Sequence, residues 1–267
     1  MRNFKDRVAV ITGAASGMGR ATALALAGEG VHVVVADIHD DRAAETAAMA
    51  EALGVQALAV HCDVSESAQI TALRDAAMDR FGRVNILMNN AGVLPVGRIE
   101  DQPLASFERA MRINFLSVVA GVQAFLPALS TADEAHIVNT ASYAGLISYA
   151  PATLAYSASK AAVVNLSEGL AVYLRPRGIG ITCLCPGPVT TNIGEQITVH
   201  GQMPEALGEF ATRTTLRREA SEVGEMVVGA IRANRFLLVT DERMLDEVRD
   251  HGADPEGFIG RIIATLS

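Results

Sequence analysis

Short β-branched runs alternate with longer, alanine-rich amphipathic stretches along nearly all of the 267 residues, and this alternation limits the possible folds more than any other feature. Runs such as Val8-Ala9-Val10-Ile11 and Val33-Val34-Val35-Ala36 are apolar throughout. A strand buried on one face alternates apolar with polar residues; a strand covered on both faces does not. The spacing predicts strands over 8–12, 32–36, 57–61, 85–89, 136–140, 179–185 and 236–239. Helices are predicted over 17–29, 40–53, 66–82, 103–130, 155–175 and 220–234. Such β-α units imply the α/β class: a doubly wound parallel sheet with right-handed crossovers and helices on both faces. No repeat, low-complexity tract or Pro/Ser-rich linker marks a boundary, so one domain is expected over 1–267. The long irregular interval 186–219 reads as a substrate loop or lid.

Charge and composition narrow the partners. A net charge of −8 with no basic stripe argues against nucleic acid and anionic membranes. No apolar run reaches the length of a membrane span, and the first residues lack the apolar stretch of a signal peptide. A cytoplasmic location is expected. The six histidines are scattered without metal-ligand spacing, so no metal site is expected. Cys183-Leu184-Cys185 lacks Cys-x-x-Cys spacing, and strand neighbours are taken to face opposite ways. With Cys62, these read as reduced, buried small hydrophobes.

The first predicted strand runs into Thr12-Gly13-Ala14-Ala15-Ser16-Gly17-Met18-Gly19 and then a helix. Glycines there allow a tight turn and a close approach by a pyrophosphate resting on the helix N-terminus. Eighteen residues beyond Gly19 the second strand ends at Asp37, placed to accept hydrogen bonds from ribose hydroxyls. The same carboxylate would repel a 2′-phosphate, and neither Ser16 nor Ile38 offers such a phosphate a cation. NAD is therefore the expected cofactor. Asp63, at the end of the third strand, either binds the adenine amino group or caps the next helix through Ser65.

The chain holds only two lysines, and one of them, Lys160, lies four residues after Tyr156. On a helix the two would share a face. An ammonium beside a phenol favours the phenolate and suits the tyrosine to acid/base work.

Together with Tyr156 and Lys160, four further segments resemble the short-chain dehydrogenase/reductase family, in its short single-domain branch. They are Asn89-Asn90-Ala91-Gly92 after the fourth strand, Asn114 in a long helix, Ser142 fourteen residues before Tyr156, and Pro186-Gly187-Pro188-Val189-Thr190-Thr191 after the sixth strand. Order and spacing agree over roughly 5–192. The resemblance implies a Rossmann-like sheet of about seven strands in order 3-2-1-4-5-6-7, a nicotinamide cofactor and a homo-oligomer. It also implies a catalytic set of Ser142, Tyr156, Lys160 and Asn114. Gly13, Ser16, Gly17, Met18, Gly19, Asp37, Asp63, Val64, Asn90, Ala91, Gly92, Pro186, Gly187, Val189 and Thr191 would hold the cofactor, with Tyr156 and Lys160.

Two departures stand out. Met18 replaces the family's usual Ile. The 240–267 tail replaces a Gly-rich ending with a helix-like stretch over 244–251 and an apolar terminus, which affects the family's tetramer more than its dimer through the helices at 103–130 and 155–175.

The expected reaction is hydride exchange between a largely apolar secondary alcohol and its ketone. Leu94, Pro95, Tyr143, Leu146 and Tyr149, with Ile193, Ile197, Met203, Leu207 and Phe210, could line an apolar pocket. Arg213, Arg217 and Arg218 read as a solvated face or as anion-recognising groups. An NADPH-dependent ketone or 3-oxoacyl reductase would share every catalytic residue. A non-catalytic nucleotide-sensing or scaffold protein on this fold would be expected to lose Ser142, Tyr156 or Lys160.

Overall fold

The computed structural model describes all residues except 2, 191–193, 196, 202–216 and 267. Strands β1 (Val8–Thr12), β2 (His32–Asp37), β3 (Ala57–His61), β4 (Ile86–Asn89), β6 (Ala135–Thr140), β7 (Ile179–Cys185) and β11 (Leu237–Val239) form one parallel sheet. Its order is β11-β7-β6-β4-β1-β2-β3, the expected 3-2-1-4-5-6-7 when only these strands are counted. Helices α1 (Gly17–Gly28), α2 (Asp40–Glu51) and α7 (Ala220–Ala233) cover one face. The other face carries α3 (Ser67–Phe81), α5 (Ser117–Thr131) and α6 (Leu154–Leu174).

The apolar strands are explained by these two layers. Ala9, Ile11, Val33 and Val35 pack with α1, α2 and α7, whereas Val8, Val10, Val34 and Ala36 pack with α3 and α5. Successive side chains point to opposite faces, and each face is buried. Gly224 on α7 marks a close helix crossing: a Cβ there would lie 2.7 Å from the Ala21 carbonyl oxygen of α1.

The long helix expected over 103–130 is interrupted. It consists of α4 (Leu104–Met111), a π-turn over Arg112–Leu116, and α5. The whole stretch Leu104–Thr131 is long and apolar enough to cross a membrane, with a mean hydropathy of 1.6 over its most apolar window, contrary to the sequence expectation. Here Val118, Val122, Phe125 and Leu129 are buried against the sheet and its neighbouring helices.

Short strands form among the described residues of the 186–219 interval. Val189–Thr190 (β8) pairs with Arg218–Glu219 (β10), and Ile197–Val199 (β9) pairs with Leu94–Val96 (β5). Ile193, Met203, Leu207, Phe210 and Arg213 lie outside the described residues. The tail forms α8 (Met244–Ala253) and α9 (Pro255–Leu266).

One cysteine expectation needs correction. Residues two apart on a strand share a face, and Cys183 and Cys185 hold their sulfurs 3.7 Å apart. All three cysteines are free and buried, and burial pushes the Cys62 thiol up to about 11.

A buried histidine gives the fold a pH dependence. His136 Nε2 lies 2.8 Å from Thr182 Oγ1, and Thr182 donates to the Arg235 carbonyl, so the imidazole is the donor to Thr182. Burial, reinforced by the Arg175 charge, lowers His136 from 6.5 to about 3. Between those values the unfolded chain binds a proton that the native chain does not. Stability should therefore fall as pH drops below about 6.5, by up to about 1.4 kcal/mol per pH unit from this residue. Urea unfolding from pH 7 to 4 should show the slope, reduced in His136→Gln; equal slopes would exclude His136 as its source.

Candidate active site

A groove of about 490 Å³ crosses the C-terminal edge of the sheet, where the strand order reverses between β1 and β4. At its floor the glycine turn is shaped by backbone contact. Gly13 has φ +64°, and a Cβ on Gly19 would sit 2.2 Å from the Gly13 carbonyl oxygen. Ser16 is the N-cap of α1 with no side-chain capping bond, so that helix end presents amides and a hydroxyl to the groove beside Gly17 and Met18. The turn is pinned from across the sheet: Asn90 Nδ2 donates to the carbonyls of Thr12 (3.0 Å) and Gly13 (3.2 Å).

Asp37 is buried at the end of β2. It accepts from the Ala15 amide at 3.0 Å and the His39 amide at 3.1 Å. It thus ties the glycine turn to the start of α2, whose N-cap is His39. Asp63 accepts from the Ser65 amide at 2.9 Å, while Glu66 is the N-cap of α3. Asp63 and Val64 also line the groove, with Asn90, Ala91 and Gly92 opposite.

At the other end the catalytic candidates converge. Ser142 follows β6, Tyr156 and Lys160 lie on the first turns of α6, and Asn114 sits on the π-turn. Ser142 lies beside the Tyr156 phenol and favours its ionised form, while the serine oxygen accepts from the Ala144 amide. Lys160 Nζ donates to the Thr140 carbonyl at 2.7 Å and lies 5.9 Å from the centre of the Tyr156 ring. Asn114 is fully buried: its amide donates to the Val93 carbonyl and to Ser159 Oγ, and its oxygen accepts from the Val93 amide. The π-turn places that side chain, as such bulges often do at functional sites. A Cβ on Gly92 would meet Asn114 Oδ1 at 3.1 Å and Lys160 Nζ at 3.5 Å, so the glycine keeps this corner open.

The electrostatics differ from the sequence expectation. Burial dominates at Tyr156 and raises its phenol above the usual value, with Ser142 pulling it down. Burial also lowers Lys160 to about 8. The ammonium bonds a carbonyl rather than the phenol, and both groups pay for leaving water.

The wall at this end of the groove comes from the C-terminal half. Pro186 lines the groove and accepts from the Tyr143 amide. Gly187 donates to Thr240 Oγ1, and a Cβ there would collide with Met244 at 2.0 Å. Val189 packs against the core rather than lining the groove, and Thr191 lies outside the described residues. Tyr143, Ile147, Met244 and Phe258 form one apolar cluster, with Leu146 and Tyr149 against it. Tyr143 stacks on Tyr149 and donates to Glu247 of α8. The tail that reads as atypical in sequence is thus built onto the turn that follows Ser142. Arg218 is engaged by the Thr240 carbonyl and Glu222 and holds the base of the 186–219 interval. Sequence reasoning missed Glu247, and it also missed Arg42, which lines the groove near Asp37.

Comparison with known proteins agrees with this geometry. The short chain dehydrogenase family model matches residues 7–201. A 3-alpha-(or 20-beta)-hydroxysteroid dehydrogenase of Mycobacterium tuberculosis is 36% identical, the match covering 83% of this chain and 81% of that protein. A short chain dehydrogenase/reductase from Burkholderia phymatum, solved in complex with NAD, superposes with a TM-score of 0.86 at 37% identity over 96% of each chain. A short chain dehydrogenase from Mycobacterium paratuberculosis bound to NAD gives 0.79 at 26% identity, covering 90% of this chain and 98% of that one.

The chain belongs to the short-chain dehydrogenase/reductase family. It is an oxidoreductase of the class acting on CH–OH groups of small molecules with a nicotinamide cofactor.

Proposed function

We propose that the protein interconverts a largely apolar secondary alcohol and its ketone, using NAD(H). The observation that carries this reading is the convergence of Ser142, Tyr156, Lys160 and Asn114 at one end of a groove whose other end holds Asp37. The glycine turn, packed too closely against its own backbone for a Cβ at Gly19, leads into the uncapped N-terminus of α1, which fits a pyrophosphate beside Ser16, Gly17 and Met18. Asp37 would hold the adenosine ribose, with Asp63 and Val64 beside the adenine. Asn90, Ala91 and Gly92, which line the groove between the two ends, would flank the middle of the dinucleotide. Pro186, which lines the groove, would flank the nicotinamide side, and Lys160 would hold its ribose.

When bound, the nicotinamide supplies the hydride acceptor or donor. Tyr156 takes the alcohol proton in oxidation and returns it in reduction. Ser142 donates to the substrate oxygen and stabilises the charge that develops there. Lys160 and the cofactor's positive charge offset the burial that raises the phenol. Asn114 shapes the Lys160 end through Ser159 and Val93.

An apolar substrate is supported by the hydroxysteroid dehydrogenase relative, and the apolar Tyr143 and Leu146 stand on the turn that follows Ser142. Oxidation of a panel of secondary alcohols, small aliphatic to steroidal, with NAD⁺ or NADP⁺ tests the reading. Turnover confined to NADP⁺ would overturn the cofactor assignment. Asp37→Ser should shift the NADPH/NADH affinity ratio upward by roughly tenfold, about 1.4 kcal/mol; an unchanged ratio in equilibrium titrations would count against Asp37. A homo-oligomer is proposed from the exposed Leu104 and Leu116 of the α4–α5 stretch and Val172 and Tyr173 of α6. A monomer mass in light scattering would contradict it.

A further inference from the structure

Arg42 and Glu195 meet at the adenosine end of the groove. Arg42 sits in the first turn of α2, five residues past Asp37, and Glu195 lies between β8 and β9. Arg42 Nη1 is 2.6 Å from Glu195 Oε2, and both residues line the groove. Their side chains are 43% and 45% exposed. Asp37 and Glu45 also act on the Arg42 charge. The neighbouring Arg20 is occupied elsewhere: it donates to the Ala15 carbonyl at 3.0 Å and pairs with Glu45 at 2.7 Å.

This arrangement bears on cofactor choice. A 2′-phosphate carries up to two negative charges and is best held by an arginine fork. Arg42 is such a fork, placed beside the carboxylate that would receive the ribose. Left unpaired, it would counteract the repulsion that Asp37 exerts on a phosphorylated ribose. Glu195 neutralises it and adds a second negative charge at the same place. An exposed ion pair contributes little to stability, so holding the fold together does not account for this contact across 153 residues of sequence.

We propose that Glu195 is a cofactor-specificity residue, which withholds Arg42 from a 2′-phosphate and so shares with Asp37 the exclusion of NADP(H). The proposal rests on the NAD reading above and assigns part of that preference to a residue outside the nucleotide-binding half.

Equilibrium binding tests it without turnover. NADH and NADPH are titrated into the wild-type protein, Glu195→Gln, Arg42→Gln and the double variant, following nicotinamide fluorescence at low and at physiological salt. Glu195→Gln should tighten NADPH about tenfold, within the range of a charge-assisted contact, and leave NADH nearly unchanged. The gain should vanish in the double variant and shrink with salt. A purely structural role would move both cofactors together. An unchanged NADPH/NADH ratio in Glu195→Gln, or a gain that persists without Arg42, overturns the proposal. The NAD reading fails separately: wild-type protein preferring NADPH would refute it. In that case an added gain in Glu195→Gln would still support the Arg42–Glu195 contact, and no gain would refute both.

Discussion

Replacing Tyr156 by Phe is expected to lower kcat by about 10²–10⁴, the contribution of a positioned general acid/base. Tyr156 lines the inner end of the groove with its phenol beside Ser142, and burial raises that phenol. Phenylalanine keeps the ring's volume and packing and removes only the proton carrier. NADH affinity, measured by titration, should therefore stay close to the wild-type value while turnover in both directions falls. Turnover near the wild-type rate would remove Tyr156 from the mechanism. A parallel loss of NADH binding would show that the ring instead builds the cofactor site.

Lys160→Met is expected to abolish turnover and, at the same time, to stabilise the protein near neutral pH. Burial lowers Lys160 from 10.5 to about 8, so the native chain binds this proton more weakly than the unfolded chain. Below about pH 8 both states are charged and the native state carries the whole penalty, up to about 3 kcal/mol. The penalty fades as pH rises from 8 to 10.5, so this residue makes the wild-type protein gain stability through that window. Methionine has a similar length and no charge, but it leaves the Thr140 carbonyl without its donor, at a cost of about 1 kcal/mol. The net gain at pH 7 should be about 1–2 kcal/mol, a rise of a few degrees in Tm for a chain of this size. Urea unfolding at pH 7 and pH 10 reads both the gain and its decline. A variant less stable than wild type at pH 7 would show that the ammonium's bonds outweigh its burial. Such trading of stability for function is common at active sites.

Much of this was readable in the sequence because the strands are covered on both sides. Continuous apolar runs at Val8–Thr12 and Ile179–Cys185 have one interpretation in an alternating β-α chain, and both strands lie where expected. The glycine turn and the Tyr156/Lys160 pair were legible because they depend on local spacing.

What escaped depends on longer-range or finer geometry. The π-turn at Arg112–Leu116 inserts one residue into a helix without changing its hydropathy. The β5–β9 pair joins three-residue strands a hundred positions apart. Glu247 reaches Tyr143 only because α8 folds back over the turn after Ser142. Arg42 is neither adjacent to Asp37 nor on the glycine turn; the start of α2 brings it to the groove from five residues on.

The most direct test follows the hydride itself. The purified protein is incubated with NAD⁺ and a secondary alcohol carrying deuterium on the carbinol carbon, and the reduced cofactor is examined by mass spectrometry and NMR. Deuterium is expected in the reduced nicotinamide, with ketone in equal amount and loss of both in Tyr156→Phe. Reduced cofactor without deuterium, or undiminished transfer in Tyr156→Phe, would contradict this mechanism.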